Sequence, residues 1–256
     1  SEQLQIPVNQ LKVVQGDTDL VEGHGSVGSR SLFVGGNAIL RGIEDFLEEC
    51  KQLAASELEA SVEDLEYHQG DFQVKGTRVG IGIFDLCSRQ SGNSISVKRK
   101  KELTGRSWPN GCHVAEVEID AETGEVRLDR YVSVDDVGNT VNPMIVHGQV
   151  QGGIASGLGQ AVLERTEYDA SGQLLSGSYM DYALPRADDM PSLSGSLFEK
   201  APCLTNPLGA KGTGEIGAVA GPPAIVHAVI DALAEKGITQ VDMPLQPQKI
   251  WECLNR

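Results

Sequence analysis

Five glycines, Gly148, Gly152, Gly153, Gly157 and Gly159, fall inside one apolar stretch, residues 145–165, that otherwise has the spacing of a helix. Each interior glycine costs a helix roughly 1 kcal/mol against alanine, so such an element forms only where the missing side chains are put to use. The use is close approach, either of another backbone in the core or of a ligand, and the spacing leaves both open. Glycine is also over-represented as a whole, with 30 in 256 residues against an average share of about 7%. The glycines cluster, so the clusters are the informative part of the chain.

The rest of the pattern reads as short strands and a few long helices. Residues 11–14 suggest a strand, followed by a turn at Gly16-Asp17-Thr18-Asp19 and a glycine-serine loop over 23–31. Residues 36–58 place Ile39, Ile43, Phe46, Leu47, Leu53, Ala54 and Leu58 at the three-to-four spacing of one helix face. A hairpin is expected over 65–74 around Gln69-Gly70-Asp71, and a short helix over Ile83–Arg89. Two alternating strands, 113–120 and 125–135, are joined by Ala121-Glu122-Thr123-Gly124, with glycine where a positive φ is easiest. A third hairpin is expected around 169–172. The last helix is expected to run from Pro223 to about Lys236, opened by Pro222-Pro223 and closed by Gly237. Short hairpins and irregular alternation predict an α+β fold, mixed sheets from β-hairpins packed with helices, not a doubly wound parallel sheet.

Composition removes several classes of function. A net charge of −15 argues against nucleic acid as a partner, because phosphate contacts require Lys and Arg. The run Lys98-Arg99-Lys100-Lys101 reads as a solvated loop and does not reverse that. Cys50, Cys87, Cys112, Cys203 and Cys253 are dispersed, with no CxxC pair, and the five histidines are scattered, so no metal site made of protein ligands is expected. An odd, dispersed set of thiols fits a cytoplasmic setting. No run of about 18 apolar residues marks a membrane span. Ser1 opens in polar sequence without Met or a leader, which reads as a piece of a longer polypeptide.

Three segments carry candidate chemistry. The first is Asn206-Pro207-Leu208-Gly209-Ala210-Lys211-Gly212-Thr213-Gly214-Glu215-Ile216-Gly217. Gly212, Gly214 and Gly217 form a GxGxxG, but a dinucleotide fold needs an apolar strand directly before it and a helix opening at the loop. Here Cys203-Leu204-Thr205-Asn206-Pro207 precedes, and the helix is expected only at Pro222. What remains is a loop whose Gly212 and Gly214 expose backbone N–H groups to a ligand, around one carboxylate, Glu215, that could act as a base if shielded from water. The second segment, 23–31, leads through Ser29, Arg30 and Ser31 toward a helix, which suits an anionic ligand and equally suits simple helix capping. The third, residues 134–143, pairs Asp135 and Asp136 at a strand end. The pair could bind a divalent cation or sugar and base groups, or serve as turn and capping residues.

In order, these segments resemble the C-terminal part of the large subunit of the molybdenum hydroxylases, the family of xanthine dehydrogenase, aldehyde oxidase and aerobic carbon monoxide dehydrogenase. The resemblance is carried by Gly16-Asp17-Thr18-Asp19, Gly28-Ser29-Arg30-Ser31, Val134-Asp135-Asp136-Val137-Gly138, Asn142-Pro143, Gly148-Gln149-Val150-Gln151-Gly152-Gly153, Gly157-Leu158-Gly159-Gln160-Ala161, Tyr179-Met180-Asp181-Tyr182-Ala183-Leu184-Pro185 and Gly209-Ala210-Lys211-Gly212-Thr213-Gly214-Glu215. It implies a single molybdopterin-binding region over 1–256, or two sub-lobes near 1–110 and 111–256, belonging to a larger subunit. Val27, Gly28, Ser29, Arg30 and Ser31 would lie along the cofactor, Asp136, Val137 and Asn142 near its nucleotide end, and Glu215 beside molybdenum as the catalytic base. Where many relatives have a cofactor-contacting glutamine this chain has Ser156, which is too short to reach as far. The Gly-Ser-Arg-Ser wording is similar to bacterial members that carry molybdopterin cytosine dinucleotide.

The family implies an oxidoreductase acting on a small molecule, with the rest of the large subunit and iron–sulfur and FAD subunits or domains as partners. A piece of this length is expected to hold neither molybdenum nor pterin and to be inactive alone. The other reading is a separate non-catalytic cofactor-binding or assembly lobe that completes a site with a partner chain.

Overall fold

A computed structural model describes residues 1–23, 25–98 and 105–255. His24 and three residues of the basic run, Arg99, Lys100 and Lys101, lie outside the described residues. The chain divides into two compact units: Ser1–Ser26 with Val34–Thr104, and Val27–Phe33 with Gly105–Arg256. The short segment that carries Ser29 therefore belongs to the second unit, although its neighbours on both sides belong to the first.

In the first unit, α1 (Asn37–Glu57) runs close to its expected bounds. The strands β1 (Leu65–His68), β2 (Asp71–Val74) and β3 (Gly80–Gly82) form an antiparallel sheet in that order. Gln69 and Gly70 take φ of 49° and 90°, the left-handed pair whose twist suits a two-residue hairpin. α2 (Ile83–Arg89) follows β3 directly. Cys50, Ala54 and Ala55 of α1 pack with Leu65, Phe72, Ile81, Ile83 and Leu86 into one core, in which each large apolar side chain contributes about 1.5–3 kcal/mol. Burial, then the neighbouring Cys87 and Glu49, pushes the Cys50 thiol up to about 12, so it behaves as a small apolar group. Residues 11–14, expected as a strand, enter no regular element, and Val13 and Val14 are exposed, with no neighbouring strand to pair them.

The second unit is built on the hairpin of β4 (Asn110–Ile119) and β5 (Val126–Asp136). A bulge between Glu116 and Val117 shifts the register, so the buried face of β5 passes from Leu128 to Tyr131 and then alternates through Ser133 and Asp135. β6 (Leu193–Leu197) joins β5 in parallel, making the sheet mixed in the order β4-β5-β6. α3 (Pro143–Leu158) and α4 (Ile216–Ala232) pack on this hairpin through Leu128, Tyr131, Val150, Ile154, Leu158 and Ile225. α3 is shorter than expected and opens out into a wide turn over Gly159–Leu163. Around the third expected hairpin only a single bridge forms, between Tyr168 and Leu174.

Two expectations need correction here. α4 opens at Ile216, not at Pro222, so Pro222 and Pro223 lie inside the helix. Pro222 is accommodated because it packs where Gly157 has no side chain: a Cβ there would come within 2.9 Å of the Pro222 ring. Nor is this the last helix. α5 (Pro247–Leu254) follows, burying Ile250 against Val229, Leu233, Val241 and Leu245. Among the described residues no helix is long and apolar enough to cross a membrane, and all five cysteines are free.

Candidate functional site

The glycines of α3 separate into two groups. A Cβ at Gly153 would meet the backbone of Gly217 and Ala218 at 2.6–2.9 Å, and one at Gly217 would lie 2.2 Å from the Val150 carbonyl oxygen. Gly157 and Gly221 make the same kind of approach one turn on, so α3 and α4 touch backbone to backbone. This seam fixes the start of α4, and with it Glu215, the residue that immediately precedes the helix.

The loop before Glu215 is anchored at its root. Gly138 and Ala210 form a short antiparallel bridge, and the amide of Asn139 donates to the Gly209 carbonyl at 2.9 Å. The amide of Lys211 donates to the Val137 carbonyl at 2.7 Å, while its ammonium donates to Asp136 Oδ2 at 2.6 Å. Both side chains of this ion pair are about nine-tenths buried, at 10% and 12% exposure. Gly138 has to be glycine: its φ is +67° and a Cβ would lie 2.2 Å from the Gly209 carbonyl oxygen. Burial works to raise the Asp136 carboxyl, but the hydrogen bonds from Lys211, the Gly138 amide and Asn110, with the Lys211 charge, outweigh it and hold the group below its ordinary value.

Asp135 and Asp136 do not form a joint site. Successive strand residues point to opposite faces, and Asp135 turns inward, where its Oδ1 lies 2.9 Å from His113 Nε2. His113 Nδ1 lies 2.9 Å from the Tyr131 hydroxyl. A carboxylate can only accept, so Nε2 carries a proton toward Asp135. Burial, then the Asp135 charge, pushes the Tyr131 hydroxyl well up, which keeps it a donor. A divalent cation held by the aspartate pair is thereby ruled out. Among the described residues there is no group of three or more His, Cys, Asp or Glu side chains that could hold a metal ion.

The tip of the loop meets the 27–33 segment. Ser29 Oγ donates to Glu215 Oε2 at 2.7 Å, and a Cβ at Gly212 would come within 2.6 Å of the Ser29 carbonyl oxygen. The Gly212 amide donates to Ser107 Oγ at 3.3 Å. Gly28 and Ser29 both take left-handed φ, 59° and 54°, and the Arg30 Nε turns back to the Val27 carbonyl at 3.4 Å. Val27, Gly28, Arg30, Ser31, Gly214 and Glu215 are exposed. This chain alone therefore does not supply the shielding from water that a buried base would require.

The expected site residues thus fall into distinct roles. Ser29, Gly212, Gly214 and Glu215 come together, and Gln149 of α3 lies close by, its Oε1 3.8 Å from where a Gly214 Cβ would be. Asp136 is joined to them through Lys211. Val137 is buried and offers only backbone. Asn142 caps α3, its Oδ1 accepting from the Ile145 amide at 3.3 Å. Ser156 is exposed on the same helix. Three features went unread in the sequence: the Ser29–Glu215 hydrogen bond, the Lys211–Asp136 pair and the His113–Tyr131–Asp135 chain. Each joins residues distant in sequence, and only the β4–β5 register, which sets Cys112 opposite Val134 and Gly111 opposite Asp135, could have signalled the last.

The GxGxxG reading also changes its basis. The helix does open at the loop, as a dinucleotide site would have it, but no strand precedes it, since β6 ends at Leu197.

Comparison with known proteins places this geometry in a lineage. The γ subunit of the 6-hydroxypseudooxynicotine dehydrogenase complex of Paenarthrobacter nicotinovorans is 33% identical over 98% of this chain and 33% of its own length. The large chain of carbon monoxide dehydrogenase of Hydrogenophaga pseudoflava is also 33% identical, over 98% of this chain and 32% of its own. The chain thus spans about a third of the length of these relatives. Among solved structures, a Cu,Mo-containing carbon monoxide dehydrogenase superposes with a TM-score of 0.86 at 29% identity, covering 98% of this chain and 33% of that one. Quinoline 2-oxidoreductase of Pseudomonas putida 86 gives 0.85 at 32%, covering 99% and 34%. Residues 1–191 match the family model of the molybdopterin cofactor-binding domain. The chain belongs to the molybdopterin cofactor-binding domain family.

Proposed function

We propose that this chain is the C-terminal, cofactor-binding part of the large subunit of a molybdenum-containing oxidoreductase that hydroxylates or oxidises a small molecule, with Glu215 as its catalytic base. The observation that supports this best is the single exposed carboxylate of Glu215, standing among Gly212, Gly214 and Ser29 at the head of α4. The donor set suits an anionic pterin. At exposed positions Gly28 offers an amide, Arg30 a guanidinium and Ser31 a hydroxyl, and Gly214 leaves the backbone bare. The cofactor when bound supplies the redox centre that takes two electrons from the substrate carbon. Glu215 takes up the proton released at that step, and the Lys211–Asp136 pair holds the loop root that carries it.

The cytosine dinucleotide form is our reading of the nucleotide end. There the side chains of Asp136 and Asn142 and backbone groups of Val137, Gly138, Asn139 and Asn142 already bond within the chain, so the backbone of Thr140 and Val141 would meet the nucleotide. A cytoplasmic location, a small-molecule substrate and iron–sulfur and FAD partners belong to the same proposal. So does the expectation that this chain by itself holds neither molybdenum nor pterin, which elemental analysis of the purified chain checks, stoichiometric molybdenum being the contrary result.

The decisive experiment replaces Glu215 by Gln in the intact, molybdenum-loaded protein. The shape is kept and the proton acceptor is lost, so kcat should fall by about 10²–10⁴-fold at unchanged molybdenum content. Glu199→Gln, at an exposed position outside the loop, controls for the loss of a negative charge and should change little. Near-normal turnover of Glu215→Gln at full molybdenum content would show that this residue is not the base.

A further inference from the structure

We infer that Ser29 is a positioning residue for Glu215, a role that rests on the assignment of Glu215 as the base. Three independent features converge on it. Its hydroxyl donates to Glu215 Oε2 at 2.7 Å across 186 positions of sequence. Its backbone is left-handed at φ +54°, a conformation that few residues other than glycine and asparagine adopt, and one retained where the surroundings over-determine it. Those surroundings are visible. Gly212 crosses so close beneath Ser29 that a Cβ there would lie 2.6 Å from its carbonyl oxygen and 2.9 Å from its Cβ.

A serine whose only task was to cap a helix or meet a ligand would not need to face the carboxylate. The left-handed turn at Gly28 and Ser29 brings the hydroxyl to Glu215. One oxygen of Glu215 is thereby occupied by a donor. The carboxylate is held at one rotation, and the other oxygen, Oε1, is left to accept a proton. A long, exposed glutamate would otherwise sample several rotamers, and each wrong one removes the base from reach of the reacting group.

The test is a double-mutant cycle in the intact molybdenum-loaded protein. Ser29→Gly removes the hydroxyl and relaxes the left-handed backbone, and Ser29→Ala removes the hydroxyl alone. Each is expected to lower kcat by roughly tenfold, the scale of one hydrogen bond to a charged group, with KM and molybdenum content unchanged. In the Glu215→Gln background neither should lower kcat further, because a hydroxyl that acts through the carboxylate has nothing left to orient. A crystal structure of the Ser29→Gly protein is expected to show Glu215 in more than one rotamer. Three results overturn the proposal while leaving Glu215 as the base: unchanged kcat in both serine variants, full multiplicative loss in the Glu215→Gln background, or loss appearing as KM or molybdenum content. Normal turnover of Glu215→Gln alone overturns the base assignment and this inference with it.

Discussion

On one face of α3, Gly153 and Gly157 lie against Gly217 and Gly221, and a side chain at Gly153, Gly157 or Gly217 would run into backbone or the Pro222 ring. On the other face, Gly148 and Gly152 look into open space, with no atom within 4 Å of where a Cβ would stand. The two faces are one residue apart at Gly152 and Gly153, yet only one of them is explained by packing within the chain. A helix that keeps glycine where alanine would fit is giving up stability, and the open face is where an approaching group could use the bare backbone. The glycine loop repeats the contrast: Gly212 is wedged beneath Ser29, while a Cβ at Gly214 would make only ordinary contacts of 3.6–3.8 Å.

The sharpest test of this contrast is Gly217→Ala. The added methyl would lie 2.2 Å from the Val150 carbonyl oxygen and 2.7 Å from the Ile154 amide nitrogen, both backbone atoms that cannot step aside. Overpacking of this kind typically costs about 1–3 kcal/mol, and at roughly 2–4 °C per kcal/mol for a chain near this size the melting temperature should fall by several degrees. Unchanged melting would mean that the helix seam is looser than described.

Next comes Lys211→Met, which leaves Asp136 largely buried without its cation. A charged group stripped of its partner loses about 1–3 kcal/mol, measurable as a lower urea midpoint near neutral pH. The pH dependence gives the sign. The folded Asp136 carboxyl lies below its unfolded value, so its contribution is present above the ordinary aspartate range near about pH 4 and fades as pH falls through the folded value. The difference in stability between parent and variant should therefore shrink below about pH 4; a difference that persists there would place the effect in packing instead of charge.

Gly152→Ala should act in the opposite direction. With open space around it, alanine recovers up to about 1 kcal/mol of helix propensity, and the melting temperature should rise. A loss of stability would show that the open face is covered. Smallest of all is Gly214→Ala, expected to stay within about 0.5 kcal/mol in urea unfolding, although it lies three residues from Gly217. A large loss there would erase the distinction between the packed seam and the bare loop.

The elements that sequence made legible are those fixed by neighbours. The hairpin at Gln69-Gly70 has its turn chemistry written locally, and so has the one at Ala121-Glu122-Thr123-Gly124, where Gly124 takes φ +76° and packs under α5. α1 carries its own apolar stripe. What escaped was set from a distance. The residues of β6, Leu-Ser-Gly-Ser-Leu, have weak strand character and pair only because β5 offers a parallel edge. Pro222-Pro223 reads as a helix start until the glycine at 157 makes room for the ring inside α4. In the site, Glu215 and its glycines could be singled out from their own segment. The partner hydroxyl of Ser29, the cation opposite Asp136 and the inward turn of Asp135 could not, because each depends on strand register or on a loop crossing far from its own position.

The placement of Val27–Phe33 in the second unit also sets an order of events during synthesis. Ser29 leaves the ribosome 186 residues before Glu215, a delay of roughly 10–40 s at the usual rates of about 5–20 residues per second. Through that interval the residues on both sides of it can already build the first unit, whose sheet and two α-helices lie between Val34 and Thr104. The serine segment must stay out of that unit, uncommitted, until α4 and the loop before it have been made. A nascent chain halted after β5 would hold a complete first core and a Ser29 without the glutamate it donates to.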